Sequence, residues 1–126
     1  MRFMAAGFFF LWLDLLLGHV SAGLKHPGMW VPVLFLPWAA FVSVTAASRG
    51  HASLFRAMSY SAIVVGALGF AFHLSRFLGA LRGIIELQVI FRLMRYPPLF
   101  APLAVSGVGV LGLLVSRDER GRNTEG

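Results

Sequence analysis

Four stretches of this chain are apolar for close to the length of a membrane-crossing helix: Phe3 to Val20, Met29 to Ala47, Ala57 to Ser75 and Pro97 to Ser116. The second runs nineteen residues with no charged side chain. A hydrocarbon core roughly 30 Å thick needs about 20 predominantly apolar residues at helical rise, so each stretch predicts one span. Within each stretch the apolar residues are continuous and do not alternate with polar ones. That excludes the pattern of a membrane barrel and leaves helices as the way to satisfy the backbone in lipid. The predicted fold is all-α: an integral membrane four-helix bundle, one domain over residues 1–126, with an interfacial amphipathic helix between helices 3 and 4.

That amphipathic segment, Arg76 to Tyr96, interleaves arginines with large apolar residues. On a helical wheel Gln88, Arg92 and Arg95 share one arc, and Ile84, Leu87, Ile90, Phe91 and Met94 share the opposite one. Ile85, Val89 and Leu93 intrude on the polar side. Such a helix lies in the interfacial plane, and Arg82, Arg92 and Arg95 then form a surface for headgroups or for a partner subunit. Four arginines and Glu86 are too many charges to cross a bilayer. Pro97 and Pro98 end the segment and open the last span, where a missing amide donor costs nothing. Pro32 falls in the first turn of span two and is tolerated there, whereas Pro37 and Pro102 fall deeper and predict kinks in spans two and four.

Composition removes most other classes. With 58% hydrophobic residues, 13% charged residues and a mean hydropathy of +0.79, the chain has no room for a soluble domain beside its spans. The net charge of +6 would suggest nucleic acid in a soluble protein, but most of these cations flank apolar stretches, so lipid headgroups are the expected counter-ions and no nucleic acid is expected. No cysteine is present, so neither disulfides nor thiolate metal sites enter the reading. Four spans put Arg2, Arg49, Arg56, Arg117, Arg120 and Arg122 on one side and Lys25, Arg76, Arg82, Arg92 and Arg95 on the other, a slight bias that places both termini in the cytoplasm of a bacterial inner membrane. Arg2 followed by an apolar stretch and Val20-Ser21-Ala22 has the form of a secretory signal, but Asp14 interrupts that stretch and favours a retained first helix.

Three features carry candidate chemistry or packing. Ser59, Ala62, Gly66 and Gly69 recur at intervals of three and four on span three, a small-residue face that lets another backbone approach. Gly107, Gly109 and Gly112 make span four a natural partner. Asp14 lies near the middle of span one, where an ionisable group must be protonated, paired or in contact with water. It shares a face with Gly18 and Ser21, which predicts either an interhelical hydrogen bond or a proton relay. His19 and His73 each lie near the end of a span and reach the same side, so together they could ligate a b-type haem or hold a quinone headgroup. The more frequent use of such histidines is a hydrogen bond to backbone or lipid. No metal cluster, phosphate loop or nucleophile motif is legible, which favours a protein without catalytic activity of its own.

Lys25 to Trp30 reads as the best local turn, with Pro27-Gly28 reversing the chain and Trp30 anchoring span two at the interface. Trp30, Leu34, Trp38 and Phe41 then stripe one face of that span. The run Gly69-Phe70-Ala71-Phe72-His73-Leu74, together with Ala101-Pro102-Leu103 in the last span, resembles small uncharacterised bacterial four-helix integral membrane proteins. That resemblance covers about a third of the chain and brings no activity with it; the arginine-rich connection stands where a short Pro-Gly turn would be expected. The function expected is a non-catalytic accessory or structural subunit of a larger bacterial, energy-transducing membrane complex, in contact with lipid and with other membrane subunits. The alternative is a membrane redox module in which His19 and His73 bind haem b or quinone.

Overall fold

A computed structural model describes residues 2–21, 23–25, 27–81 and 100–124. These residues are all-α. Helix α1 covers Arg2–Ser21, a single 3-10 turn covers Pro27–Met29, and α2 follows directly at Trp30–Arg49. Helix α3 covers Ala52–Leu81 and α4 covers Ala101–Thr124. By length and composition α1, the Pro27–Arg49 stretch and the Ala52–Gly79 part of α3 are each sufficient to cross a membrane. The apolar part of α4, Ala101–Arg117, is shorter. Its length falls at the lower end of the roughly 17–25 residues that a span uses.

Local sequence explains where the helices stop. At the end of α1, Gly23 adopts φ +83°, and its amide donates to the Val20 carbonyl at 2.9 Å while Leu24 N–H donates to the His19 carbonyl at 3.1 Å. This pair of bonds is a Schellman motif, with glycine in the left-handed position that other residues avoid. The reversal therefore belongs to Gly23, and Pro27-Gly28 instead begins the 3-10 turn that leads into α2. Helix α2 also ends at a glycine in the left-handed region, Gly50 with φ 67°.

Helix α3 is longer than the apolar stretch within it. It begins before Arg56 and runs past Ser75, so Arg76–Leu81, expected to open an in-plane segment, continue α3 instead. The nineteen uncharged residues between Arg56 and Arg76 still match a bilayer core, and the flanking turns extend beyond it. Arg82, Arg92 and Arg95 lie outside the described residues, as does the rest of the expected amphipathic helix.

Packing is organised as two intimate pairs, α1 with α2 and α3 with α4; α2 also touches α3, and α1 touches α4. One contiguous core joins all four helices through Phe8, Leu36, Val42, Phe55, Met58 and Val105. Within a bilayer, lipid would be as apolar as these side chains, and their contribution there would be close dispersion contact and not removal from water. The two pairs are closed by different chemistry. Pro37 has no N–H, which leaves the Val33 carbonyl without its helical donor, and the Trp12 indole of α1 donates to that carbonyl at 3.0 Å.

Between α3 and α4 the device is the absence of side chains. A Cβ on Gly66 would stand 2.5 Å from the Pro102 carbonyl, and one on Gly109 would stand 2.7 Å from the Ser59 carbonyl. Gly112 meets the Ser59 side chain, while the Cβ position of Gly107 faces open space. Close approach lets Ser106 Oγ donate to the Ile63 carbonyl at 2.9 Å. Pro102 is only the second residue of α4, so it sits where its missing N–H is harmless and not at the deeper position that would predict a kink.

Candidate functional site

The helices around His19 and His73 border two adjoining cavities. The larger, about 320 Å³, is lined by Leu15 and His19 from α1, Val31 and Pro32 from α2, Phe72 and His73 from α3, and Pro102 and Val105 from α4. The second, about 310 Å³, is bordered by Asp14, Gly18, His19, Ser21, His73 and Pro102. His19 and His73 are on the walls of both. Their positions follow from local structure: His19 lies in the last turn of α1, held by the Schellman bonds, and His73 lies one turn beyond Gly69, whose lack of a side chain admits Pro102.

The His19 ring is fixed by its own helix. Its Nδ1 is 2.7 Å from the Leu15 carbonyl, which can only accept, so Nδ1 carries a proton and donates it. In the neutral ring Nε2 is then the bare lone pair, the nitrogen available to a ligand or a hydroxyl hydrogen. His73 is half-buried, stands edge-on to Phe72 with centroids 6.2 Å apart, and has no side-chain hydrogen bond among the described residues. Arg76 lies 5.8 Å from the centre of the Phe72 ring, a cation–π contact beside the site.

Asp14 is exposed on α1 and borders only the second cavity. It makes no hydrogen bond to another helix among the described residues, so the expected interhelical bond is not found there. Its neighbours Gly18 and Ser21 line the same cavity, and the Ser21 hydroxyl is turned back to the Leu17 carbonyl at 2.8 Å. No group of three or more histidine, cysteine, aspartate or glutamate side chains that could hold a metal ion occurs among the described residues. Two histidines alone would suit only a metal that arrives with most of its own ligands, as haem iron does.

Ser59 and Ala62 are fully buried, Gly66 is buried, and Gly69 is half-buried against Pro102. Two polar contacts were missed from sequence. The bond from Trp12 to the Val33 carbonyl has a legible signal, because a proline within a helix orphans the carbonyl four residues earlier. The bond from Ser106 to Ile63 has none, since the serine's partner depends on how α4 lies against α3.

No family model, curated protein or solved structure matches this chain.

Proposed function

We propose that this chain is an integral four-helix bundle of the bacterial inner membrane, with both termini in the cytoplasm, acting as a non-catalytic accessory or structural subunit of a larger energy-transducing membrane complex. Trp38 carries the reading. It lies at the middle of the Pro27–Arg49 span, is 47% exposed, and its indole N–H has no acceptor among the described residues. Tryptophan favours the membrane interface, where its N–H meets water or headgroups; at mid-depth in hydrocarbon that donor has no outlet. A neighbouring subunit supplies both an acceptor and a surface for the stripe that Trp38 forms with Leu34 and the 66% exposed Phe41. The glycine face of α3 gives no support here, because α4 already covers it.

A photo-crosslinkable residue at Phe41 in the native membrane tests this. Crosslinking to one defined membrane protein, together with loss of the corresponding native-gel assembly in Trp38→Leu and its retention in Val64→Leu, is the expected result. Crosslinks to lipid alone would end the subunit reading.

A second reading is favoured by the shared cavity walls of His19 and His73: a redox module that binds haem b or quinone through this pair. A Soret band in the purified chain that shifts on dithionite reduction would assign haem. The same pair is what makes an energy-transducing complex the preferred host.

A further inference from the structure

We infer that the larger cavity is a binding site for a lipid-soluble hydroquinone, recognised in its hydroxylated form by the imidazole of His19. The inference rests on reading His19 and His73 as a ligand-binding pair and adds which redox form of the ligand that pair selects. It starts from the direction of one hydrogen bond. Because the Leu15 carbonyl accepts from Nδ1 of His19 at 2.7 Å, the neutral ring offers its remaining nitrogen only as an acceptor. An acceptor recognises a hydroxyl hydrogen and gains nothing from a quinone carbonyl, which is itself only an acceptor. His73, with no hydrogen bond of its own among the described residues, can turn either nitrogen toward the ligand and so donate to the hydroxyl oxygen.

The walls select the rest of the molecule. Apart from the two histidines the cavity is lined by apolar side chains and glycines, including Leu15, Val65 and Val105. At about 320 Å³ it is near the small end of ligand pockets, sufficient for one substituted ring. Leu68, Phe72 and Val31 border it and are also exposed on the outer surface of α3 and α2. With these walls exposed on α2 and α3, a bilayer around the chain would leave an isoprenoid tail among the acyl chains while the ring enters.

The test uses the purified full chain in lipid nanodiscs, with empty nanodiscs as the partition control. Binding of a decyl-substituted benzohydroquinone, kept reduced under anaerobic conditions, is compared with binding of its oxidised quinone. The hydroquinone should bind about fivefold more tightly, the size expected of one net hydrogen bond. This preference should disappear in His19→Phe, which keeps a ring but no acceptor, and persist in His19→Gln, whose amide oxygen still accepts. Equal binding of the two forms would overturn the hydroxyl selectivity while leaving a histidine ligand pair in place. Binding of neither form would remove the quinone reading as well, and a Soret band would replace the hydroquinone by haem. Should His19→Phe lose helicity by circular dichroism, the comparison of the two forms on the unsubstituted chain decides the matter alone.

Discussion

Trp12, Pro37 and Val33 show how one residue's deficiency becomes another's anchor. Proline removes a donor from α2, and the carbonyl it orphans would be costly in lipid, so an indole from the neighbouring helix takes that place. Trp12→Phe should therefore weaken the α1–α2 pairing by roughly 0.6–1.5 kcal/mol, in the range of interhelical hydrogen bonds. The same change in a Pro37→Ala background should cost less, because alanine restores the helical donor to Val33. A double-mutant cycle of unfolding in detergent reads this coupling, and additive effects would show that the bond contributes nothing. Asp14 is the opposite case, a costly group with no interhelical partner among the described residues. Asp14→Leu should leave helix pairing intact and favour membrane insertion by about 2.5–3.5 kcal/mol, the translocon cost of a central aspartate. A fall in the stability of the folded chain on that substitution would reveal a partner for the carboxylate.

At the scale of the element, α3 and α4 approach through Gly66, Gly109 and Gly112, positions at which an added methyl group meets backbone or a serine side chain. Gly66→Ala should destabilise the pair by about 1–3 kcal/mol through overpacking. Gly107→Ala, on the same helix but facing open space, should be neutral or favourable by up to about 1 kcal/mol as backbone freedom is reduced. Thermal unfolding of both variants in one detergent checks the contrast, and equal effects would mean that the two helices are not held by this face. Glycine content alone made Gly107, Gly109 and Gly112 look equivalent. Which of them face α3 depends on the rotation of α4 about its axis, set by Ser106 bonding to Ile63 and by Val105 entering the core.

For the whole molecule, the length of α3 makes a topological prediction. From Ser53 to Gly79 the helix extends about 39 Å, more than the hydrocarbon core of roughly 30 Å. Both residues are exposed, and the sequence has no cysteine, so Ser53→Cys and Gly79→Cys each introduce a single reporter. A membrane-impermeant thiol reagent should reach the two from opposite sides of sealed vesicles, and Val64→Cys should be protected from both. Labelling of Ser53→Cys and Gly79→Cys from the same side would mean that α3 does not cross.

Continuous apolar runs of near-bilayer length are a property of composition and order, so the all-α class and the membrane-compatible lengths of α1, α2 and α3 were legible in the residues themselves. So was the small-residue period of α3, because helical spacing alone puts Ser59, Ala62, Gly66 and Gly69 on one face. Helix ends were less legible, since the apolar stretch marks the bilayer and not the helix: α3 outruns its stretch at both ends, and Gly23 rather than the Pro-Gly pair turns the chain. The cavities, the choice of Trp12 as the donor that reaches Val33 and the partner of Ser106 belong to tertiary structure alone. Each depends on how one helix is rotated and shifted against another, and in lipid that choice is made by shape and by orphaned backbone groups, neither of which a hydrophobic pattern records.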